Sequence, residues 1–321
     1  MAHELEIING EAQMAYAGDV PWHGLGTRVS NDLTPAQMQK AAGLDWEVKK
    51  MPTFIRIGDT RQRTGAHALV RSSDNEILTQ VGKGWNPVQN STAFEFFSEF
   101  VLAGDMEMHT AGSLKNGKVV FALAKVKESF DLFGGDQVDS YLLFSNPHEY
   151  GKCVDIRFTP IRVVCNNTLT FSLNRKAKVA FKANHSSVFN PDAVKEAMGL
   201  ASAKLSKYKE MAEFLGGKKV TAEALLEYYS TVFPKTSGEK KVEKFEDLSR
   251  NAKLAYDALE TQPGAEFAPG SWWNAFNSVT FITDHVQGRS NDNRMANAWY
   301  GTNQNRKIQA INKAMELAEA A

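Results

Sequence analysis

The chain has 321 residues, of which 43% are hydrophobic and 23% are charged, as in an ordinary globular protein. Lysine plus arginine equals aspartate plus glutamate at 37 each, so a polyanion would have to be bound by a local cluster of cations. The two cysteines, Cys153 and Cys165, are too few for a disulfide framework or a cysteine zinc set.

The first ten residues are acidic and lack the basic and then apolar layout of a signal peptide. No stretch approaches the roughly 18 uninterrupted apolar residues that a membrane span requires. We therefore expect a cytoplasmic protein, and no motif requires a cofactor or a bound metal ion.

The first part of the chain has the pattern of a strand-rich domain. A helical spacing of apolar residues interrupts it at Ser91–Leu102, with Asn90 or Ser91 as the expected N-cap. Asn116-Gly117 is a strong hairpin signal. The predicted strands are Thr53–Ile57, Ala66–Arg71, Glu76–Val81, Met106–Leu114, Lys118–Val126, Ser140–Phe144, Val154–Phe158 and Ile161–Val164. Tight turns between neighbouring strands predict an antiparallel sheet rather than a doubly wound one.

The second part has the pattern of a helical domain. Asn190-Pro191-Asp192 predicts a helix start, and Gly216-Gly217 predicts its end after Leu215. Further helices are predicted at Thr221–Phe233, Phe245–Leu259, Ser271–Val286 and Asn305–Ala320. The predicted fold class is α+β, with a strand-rich domain over 1–187 and a helical domain over 188–321. Whether the second packs on the first stays open.

Four motifs carry a family resemblance: Pro21–Gly26, Trp85–Asn90, Thr159–Leu169, and Trp273–Thr280 with Asp284-His285. With them the chain resembles the phage/plasmid-like protein family, domain-of-unknown-function family nine-three-two. The resemblance spans nearly the whole chain and implies a place on phages, plasmids or other mobile elements. In that setting, handling of replicating or recombining DNA is the commonest task, and counter-defence or takeover of the host is the next.

The first candidate site is a basic strand followed by a predicted helix start. Arg157, Thr159 and Arg162 lie close together on an extended run, and free N–H groups at a helix start attract anions. Residues 148–187 hold seven basic residues against two acidic ones. The predicted phosphate or nucleic-acid ligands are Arg157, Thr159, Arg162, Asn166, Asn167, Thr168, Lys176, Lys178 and Lys182. The alternative is a structural N-cap surrounded by solvated surface cations.

Two further candidates lie in loops. Trp85 beside Lys83 has the arrangement of a base-stacking site, or else its indole covers the sheet edge. His148 follows a strand, where it is either a base or metal ligand or a turn residue at the surface. His285 is a candidate polar site on a helix whose stripe of aromatic residues is most simply core.

The sequence favours a binding protein over an enzyme. The leading hypothesis is a mobile-element protein of the host cytoplasm that binds nucleic acid, with single-stranded DNA favoured. Single-strand annealing or an accessory role in recombination, carried out by a homo-oligomer, would suit it. The alternatives are a protein-binding module that modulates a host factor, and an unrecognised nucleotide-acting enzyme that uses His148 or Cys165.

Overall fold

The computed structural model describes residues 5–18, 24–162, 167–168, 181–183, 185, 206–235, 242–287, 297–299 and 301–320, with the backbone alone at 128, 162, 167–168 and 181–183. Within them the fold is mixed α+β, with strands mostly in the N-terminal half and helices in the C-terminal part. The predicted fold class is confirmed. None of the described helices has both the length and the apolar character needed to cross a lipid bilayer.

The strands, numbered in chain order, are β1 Ile7–Ile8, β2 Glu11–Ala12, β3 Met14–Ala17, β4 Thr27–Val29, β5 Val48–Ile57, β6 Thr60–Arg71, β7 Ile77–Val81, β8 Met106–Leu114, β9 Val119–Leu132, β10 Asp136–Pro147, β11 Val154–Arg162, β12 Asn167–Thr168 and β13 Phe181–Ala183. Eight of them form one sheet in the order β12-β11-β10-β9-β8-β3-β4, with β13 also paired to β11. Strands β5, β6 and β7 form a separate sheet, and β1 pairs with β2. The described pairings are antiparallel except for β3 with β4, which confirms the predicted sheet type.

Short turn signals set the two hairpins. Asn116-Gly117 lies in the loop between β8 and β9, where both residues have positive φ, as predicted. Gly58-Asp59 is the two-residue loop between β5 and β6, with Gly58 at φ +57°. Glycine at the first loop position suits the turn types that match the twist of a hairpin.

One predicted strand break is wrong. The sequence placed two strands on either side of Pro160, but β11 runs through it without interruption. On one side, β11 pairs with β13 at 154–156 and with β12 at 161–162, and Pro160 lies between these paired stretches. A proline is tolerated in a strand where its missing N–H leaves no ladder bond unmade.

The helices are α1 Pro35–Ala41, α2 Asn90–Glu95, α3 Ser98–Leu102, α4 at residues 206–217, α5 Ala222–Val232, α6 Arg250–Thr261, α7 Trp272–Phe281 and α8 Thr302–Ala320. A short 3-10 turn covers Phe245–Asp247, and a π-helical turn at Ile282–Val286 follows α7. Helix α4 includes Gly216-Gly217, so its predicted end at Leu215 is two residues early. The predicted helix start at 190–192 lies outside the described residues.

Four of the described helices have a serine or threonine as the N-cap residue. Thr34, Thr221, Ser249 and Ser271 each accept a hydrogen bond from a backbone N–H in the first turn of α1, α5, α6 and α7 respectively. This satisfies donors that a helix start leaves unpaired. The predicted cap at Asn90 or Ser91 is wrong, because Gln89 holds that position without a side-chain cap.

The chain forms two compact units that take alternating segments. The first comprises Met1–Lys127, Tyr141–Phe158 and Lys178–Met198, and the second comprises Glu128–Ser140, Thr159–Ala177 and Gly199–Ala321. The boundary predicted at residue 187 lies outside the described residues and stays a prediction.

Each unit has its own hydrophobic core. In the first, Met38, Phe94, Phe97 and Phe144 are among the most buried side chains. In the second, every residue of α7 from Trp272 to Thr280 is buried, and the four polar side chains among them are hydrogen-bonded. The aromatic stripe predicted there as core is confirmed.

A buried ion pair lies within the second unit. Lys307 of α8 is fully buried, and its Nζ donates to Asp284 Oδ1 at 2.7 Å. Burial lowers the pKa of Lys307, and the Asp284 carboxylate opposes that shift. Such a pair costs desolvation energy when it forms, but losing one partner leaves a buried charge without its counterion.

We predict that Lys307→Met lowers the free energy of unfolding by about 3–5 kcal/mol, because Asp284 then stays buried without its lysine. Urea unfolding followed by circular dichroism measures the change. The matched control is Lys209→Met, since Lys209 makes an exposed pair with Glu213 at 3.9 Å. It should cost about 0.5 kcal/mol or less. Equal losses in the two variants would contradict the role assigned to the buried pair.

Candidate functional site

In the phosphate site predicted at 157–168, the first cation, Arg157, is paired with an acid of the same strand. Arg157 is 13% exposed, and its Nε and Nη2 both donate to Asp155 Oδ2, the former at 2.7 Å. Residues two apart in a strand share a face, so the acid lies where it neutralises the guanidinium group. Arg157 is therefore held by an acid within the fold. The side chain of Arg162 lies outside the described residues.

The predicted helix start is wrong at Asn167 and Thr168. They form β12, which pairs antiparallel with Ile161 and Arg162 of β11. Backbone N–H groups in a sheet are committed to strand partners, so this segment does not present the free amides of a helix N-terminus. Asparagine pairs suit turns as well as caps, which is why the sequence misled.

Most other predicted ligands of this site are not described. Asn166, Lys176 and Lys178 lie outside the described residues, and Lys182 is described by its backbone alone, in β13. Thr159 is fully buried, which removes its side chain from solvent. No phosphate-binding cluster is assembled here among the side chains that the structure describes.

Trp85 stacks within the protein. Its ring lies 4.0 Å from that of His185 with an interplanar angle of 21°. The Nζ of Lys50 donates to the carbonyls of Lys83 and Trp85, the latter at 2.7 Å. One indole face is therefore covered, while the side chain of Lys83 is exposed. A base-stacking role for Trp85 stays a prediction.

His148 is fully buried, so its interpretation as an exposed turn residue is wrong. Its Nε2–H donates to Asn90 Oδ1 at 3.0 Å, and the ring meets Trp46 edge-on at 5.4 Å. Burial, with a smaller contribution from the nearby His185, lowers the pKa of His148 to about 3. His148 is thus a neutral interior group.

His285 lies in the second unit. It is half-buried, in the π-helical turn after α7, with its ring 5.4 Å from that of Phe281. A polar-site role for His285 stays a prediction.

The structure reveals a candidate surface that the sequence reasoning missed. The far end of the β5–β6 hairpin, residues 54–63, is exposed at every position, and we call it the arm. Phe54 pairs with Arg63, and Arg56 pairs with Arg61. Directly paired residues share a face, as do residues two apart on one strand. Phe54, Arg56, Arg61 and Arg63 therefore lie on one side of the arm, which we call the basic face.

Aromatic and cationic groups are layered on the basic face. The guanidinium carbon of Arg61 lies 4.1 Å from the centre of the Phe54 ring. Asp59 is the one acid of the arm, and its Oδ1 lies 3.5 Å from Arg56 Nη2. Both of these side chains are largely exposed, so their pair is weak and screened by salt. The arm thus carries three arginines and one acid, Asp59, whose ion pair with Arg56 is weak.

The opposite side of the same ribbon is apolar. Ile55 and Ile57 alternate with the basic face, and Met51 and Ile77 continue this side across β5 and β7. These four large apolar side chains are each 49–58% exposed. We call them the aliphatic face. An open groove of about 820 Å³ is lined by residues of both faces, with Met51, Ile55 and Ile77 from the aliphatic face and Phe54, Arg56 and Arg61 from the basic face.

A sequence signal for the arm exists. Gly58-Asp59 between two β-prone runs predicts a hairpin, and the pattern Arg61-x-Arg63 places two cations on one side of a strand. What the sequence lacks is the cross-strand register. Only the register places Phe54 and Arg56 on the same side as these arginines.

Comparison with known proteins identifies one family. The sequence model of the family described as Domain of unknown function (DUF932) matches residues 77–311. No curated protein and no solved structure matches the chain significantly. The arm precedes the matched region.

We predict that replacing all three arginines of the basic face with Gln changes the free energy of unfolding by less than about 1 kcal/mol, since exposed charges contribute little. The matched control is Arg71→Gln. Arg71 is 3% exposed and pairs with Glu6 and, at 2.6 Å, with Asp74. Its loss should cost about 3 kcal/mol or more in urea unfolding. A triple variant as unstable as the Arg71 variant would show that the arm is part of the folded core.

Proposed function

The chain belongs to the DUF932 family, a domain of unknown function, and we propose that it binds single-stranded nucleic acid through the basic face of the arm. The observation that carries the proposal is the alignment of three exposed arginines and one exposed phenylalanine on one side of a two-stranded ribbon. Arginine neutralises phosphates, and an aromatic ring stacks on any base.

Single strands are favoured over duplexes because stacking requires unpaired bases. The Phe54 ring and the Arg61 guanidinium group already form a stacked pair. An unpaired base can stack on either an aromatic ring or a guanidinium group. A duplex keeps its bases stacked on one another and offers this face only its phosphates. With 37 cations and 37 anions in the whole chain, binding depends on this local cluster rather than on overall attraction.

The biological setting is inferred from the family resemblance. A member of a phage- and plasmid-borne family that holds single strands is suited to annealing or to an accessory step in recombination. Assembly of several copies would line up several arms along one strand. Multivalent contact of this kind raises the overall affinity without any new contact within one copy.

The test is fluorescence anisotropy with labelled single-stranded and duplex oligonucleotides of the same sequence, over a range of salt concentrations. We expect the wild type to bind the single strand more tightly, with an affinity that falls as salt rises. Replacing the three arginines of the basic face with Gln should weaken binding. It should also reduce the steepness of the plot of log affinity against log salt concentration by about 2, because each lost phosphate contact contributes about 0.7. Phe54→Ser should weaken binding by about 1–3 kcal/mol and leave the salt slope unchanged.

The control for net charge replaces three exposed lysines outside the arm with Gln, at Lys115, Lys152 and Lys244. This variant carries the same change in net charge, so an effect of overall charge would appear in both triple variants. If the two triple variants weaken binding equally, or if the wild type fails to bind at low salt, the proposal is wrong.

A second candidate function, binding of another protein, is favoured by the aliphatic face. Four large aliphatic side chains exposed together on one side of a sheet mark a surface suited to contact. Replacing Ile55 and Ile57 with Ser should abolish capture of a host protein, measured by affinity purification, and should leave strand binding by the isolated protein unchanged. Loss of strand binding in this variant would instead mean that the two faces act together.

A further inference from the structure

Three buried polar side chains of the first unit are held by one short segment. Asn86 accepts from His185 Nδ1 at 3.2 Å, and Val88 accepts from Asn146 Nδ2 at 2.8 Å, each through its backbone carbonyl. Asn90 accepts from His148 through its side chain. Residues 86, 88 and 90 of this segment thus each accept a hydrogen bond from one of the three buried side chains. His148 and Asn146 are fully buried, and His185 is 2% exposed.

The hydrogen bonds determine which atoms of these groups carry hydrogen. The Nδ2 of Asn90 donates to the carbonyls of Leu44 and Trp46, at 3.2 and 3.3 Å, so its Oδ1 faces His148. His148 must then be protonated on Nε2, which leaves a lone pair on Nδ1. By the same reasoning His185 is protonated on Nδ1, which leaves a lone pair on Nε2.

Asn146 is oriented in the same way. Its Nδ2 faces the Val88 carbonyl, so its Oδ1 is a pure acceptor. The atoms His148 Nδ1, His185 Nε2 and Asn146 Oδ1 have no hydrogen-bond partner among the described residues. A buried acceptor left without a donor costs about 1–3 kcal/mol, and three on side chains held by alternate residues of one short segment indicate a missing positive or donating group.

The two imidazoles are neighbours. The carbonyl of Pro147, the residue before His148, interacts with His185, and the charge of His185 acts on His148. Trp85 stacks on His185, and Trp46 meets His148 edge-on, so apolar rings line this place.

We propose that His148 Nδ1 and His185 Nε2 bind a divalent transition-metal ion, with Asn146 Oδ1 as a third ligand. Metal-binding histidines typically donate their other N–H to an oxygen acceptor, as His148 does to Asn90 and His185 to Asn86. Imidazole ligands suit zinc, copper, nickel and cobalt. Within the described residues, no group of three or more His, Cys, Asp or Glu is arranged for a metal, and this set differs in using an amide oxygen.

The experiment uses the full-length, untagged chain, stripped with a chelator and titrated with Co²⁺ or Zn²⁺. We expect saturable binding of one ion per chain by calorimetry, with the visible absorption of coordinated Co²⁺. His148→Gln and His185→Gln should each abolish stoichiometric binding. Asn90→Ala, which removes the acceptor that orients His148, should weaken it about 10- to 100-fold.

The matched control is His109→Gln, since His109 is a half-buried histidine of the same unit whose Nδ1 lies 2.8 Å from Thr110 Oγ1. It should bind the metal ion like the wild type. Circular dichroism establishes whether each variant is folded. Should the histidine variants fail to fold, X-ray absorption of the metal-loaded wild type still decides the matter, because the proposal requires two imidazole ligands.

Failure of the stripped wild type to bind an ion, fewer than two imidazoles in the absorption spectrum, or unchanged binding in both folded histidine variants would each overturn the proposal. The unpaired acceptors would then be satisfied by an ordered water molecule. Strand binding by the arm is measured separately and does not depend on this result.

Discussion

In the part of the chain that the structure describes, each lysine or arginine that is buried or nearly buried among the pairs below has an acid beside it. Arg71 contacts Glu6 and Asp74, Arg157 contacts Asp155, and Lys307 contacts Asp284. Burial of a charge without such a partner costs about 3–5 kcal/mol, a large share of a domain's stability, so each interior cation brings its counterion with it. This constraint distinguishes the interior cations from those of the arm. Those in the interior are neutralised where they stand, and those on the arm stay available to an outside anion.

The division also explains why counting charges along the chain was a poor guide to the site. The stretch around Arg157 is the most basic part of the sequence, yet its first arginine is committed to an aspartate two residues earlier. The arm contributes only three arginines, but all three are exposed and two lie directly across the ribbon from Phe54 or from Arg56. Exposure and register, rather than the number of charges, decide which cations can contact a polyanion.

Local signals in the sequence predicted much of the fold. The hairpin at Asn116-Gly117 and the helix starts predicted at Thr221 and Ser271, which the structure shows to be hydroxyl N-caps, depend on nearest neighbours, so a short window of sequence contains the cause. The failures depend on distant partners. Asn90 does not cap its helix, because its amide is engaged by carbonyls more than forty residues away and by His148. Pro160 does not end a strand, because the pairing of β11 on either side of it depends on β12 and β13.

Two of the motifs that carry the family resemblance place residues in the interior of a unit. Val88 and Asn90 are buried in the first unit, as are Trp273 and Asn277 in the second. Their side chains satisfy one another or the backbone, as when Asn277 Nδ2 donates to the Trp273 carbonyl within α7. Buried polar residues that satisfy one another in this way stabilise the fold and do not by themselves indicate an activity.

The arm lies before that matched region and has no core of its own. A two-stranded ribbon exposed on both sides is only marginally stable, so the arm depends on its short turn and on cross-strand contacts such as Arg61 with Phe54. The same lack of a core frees both of its faces, one cationic and one aliphatic, to be used at the same time. If a strand binds the basic face and a protein binds the aliphatic face, each contact orders the ribbon for the other. Coupling between the two sites then follows without any change in the folded units.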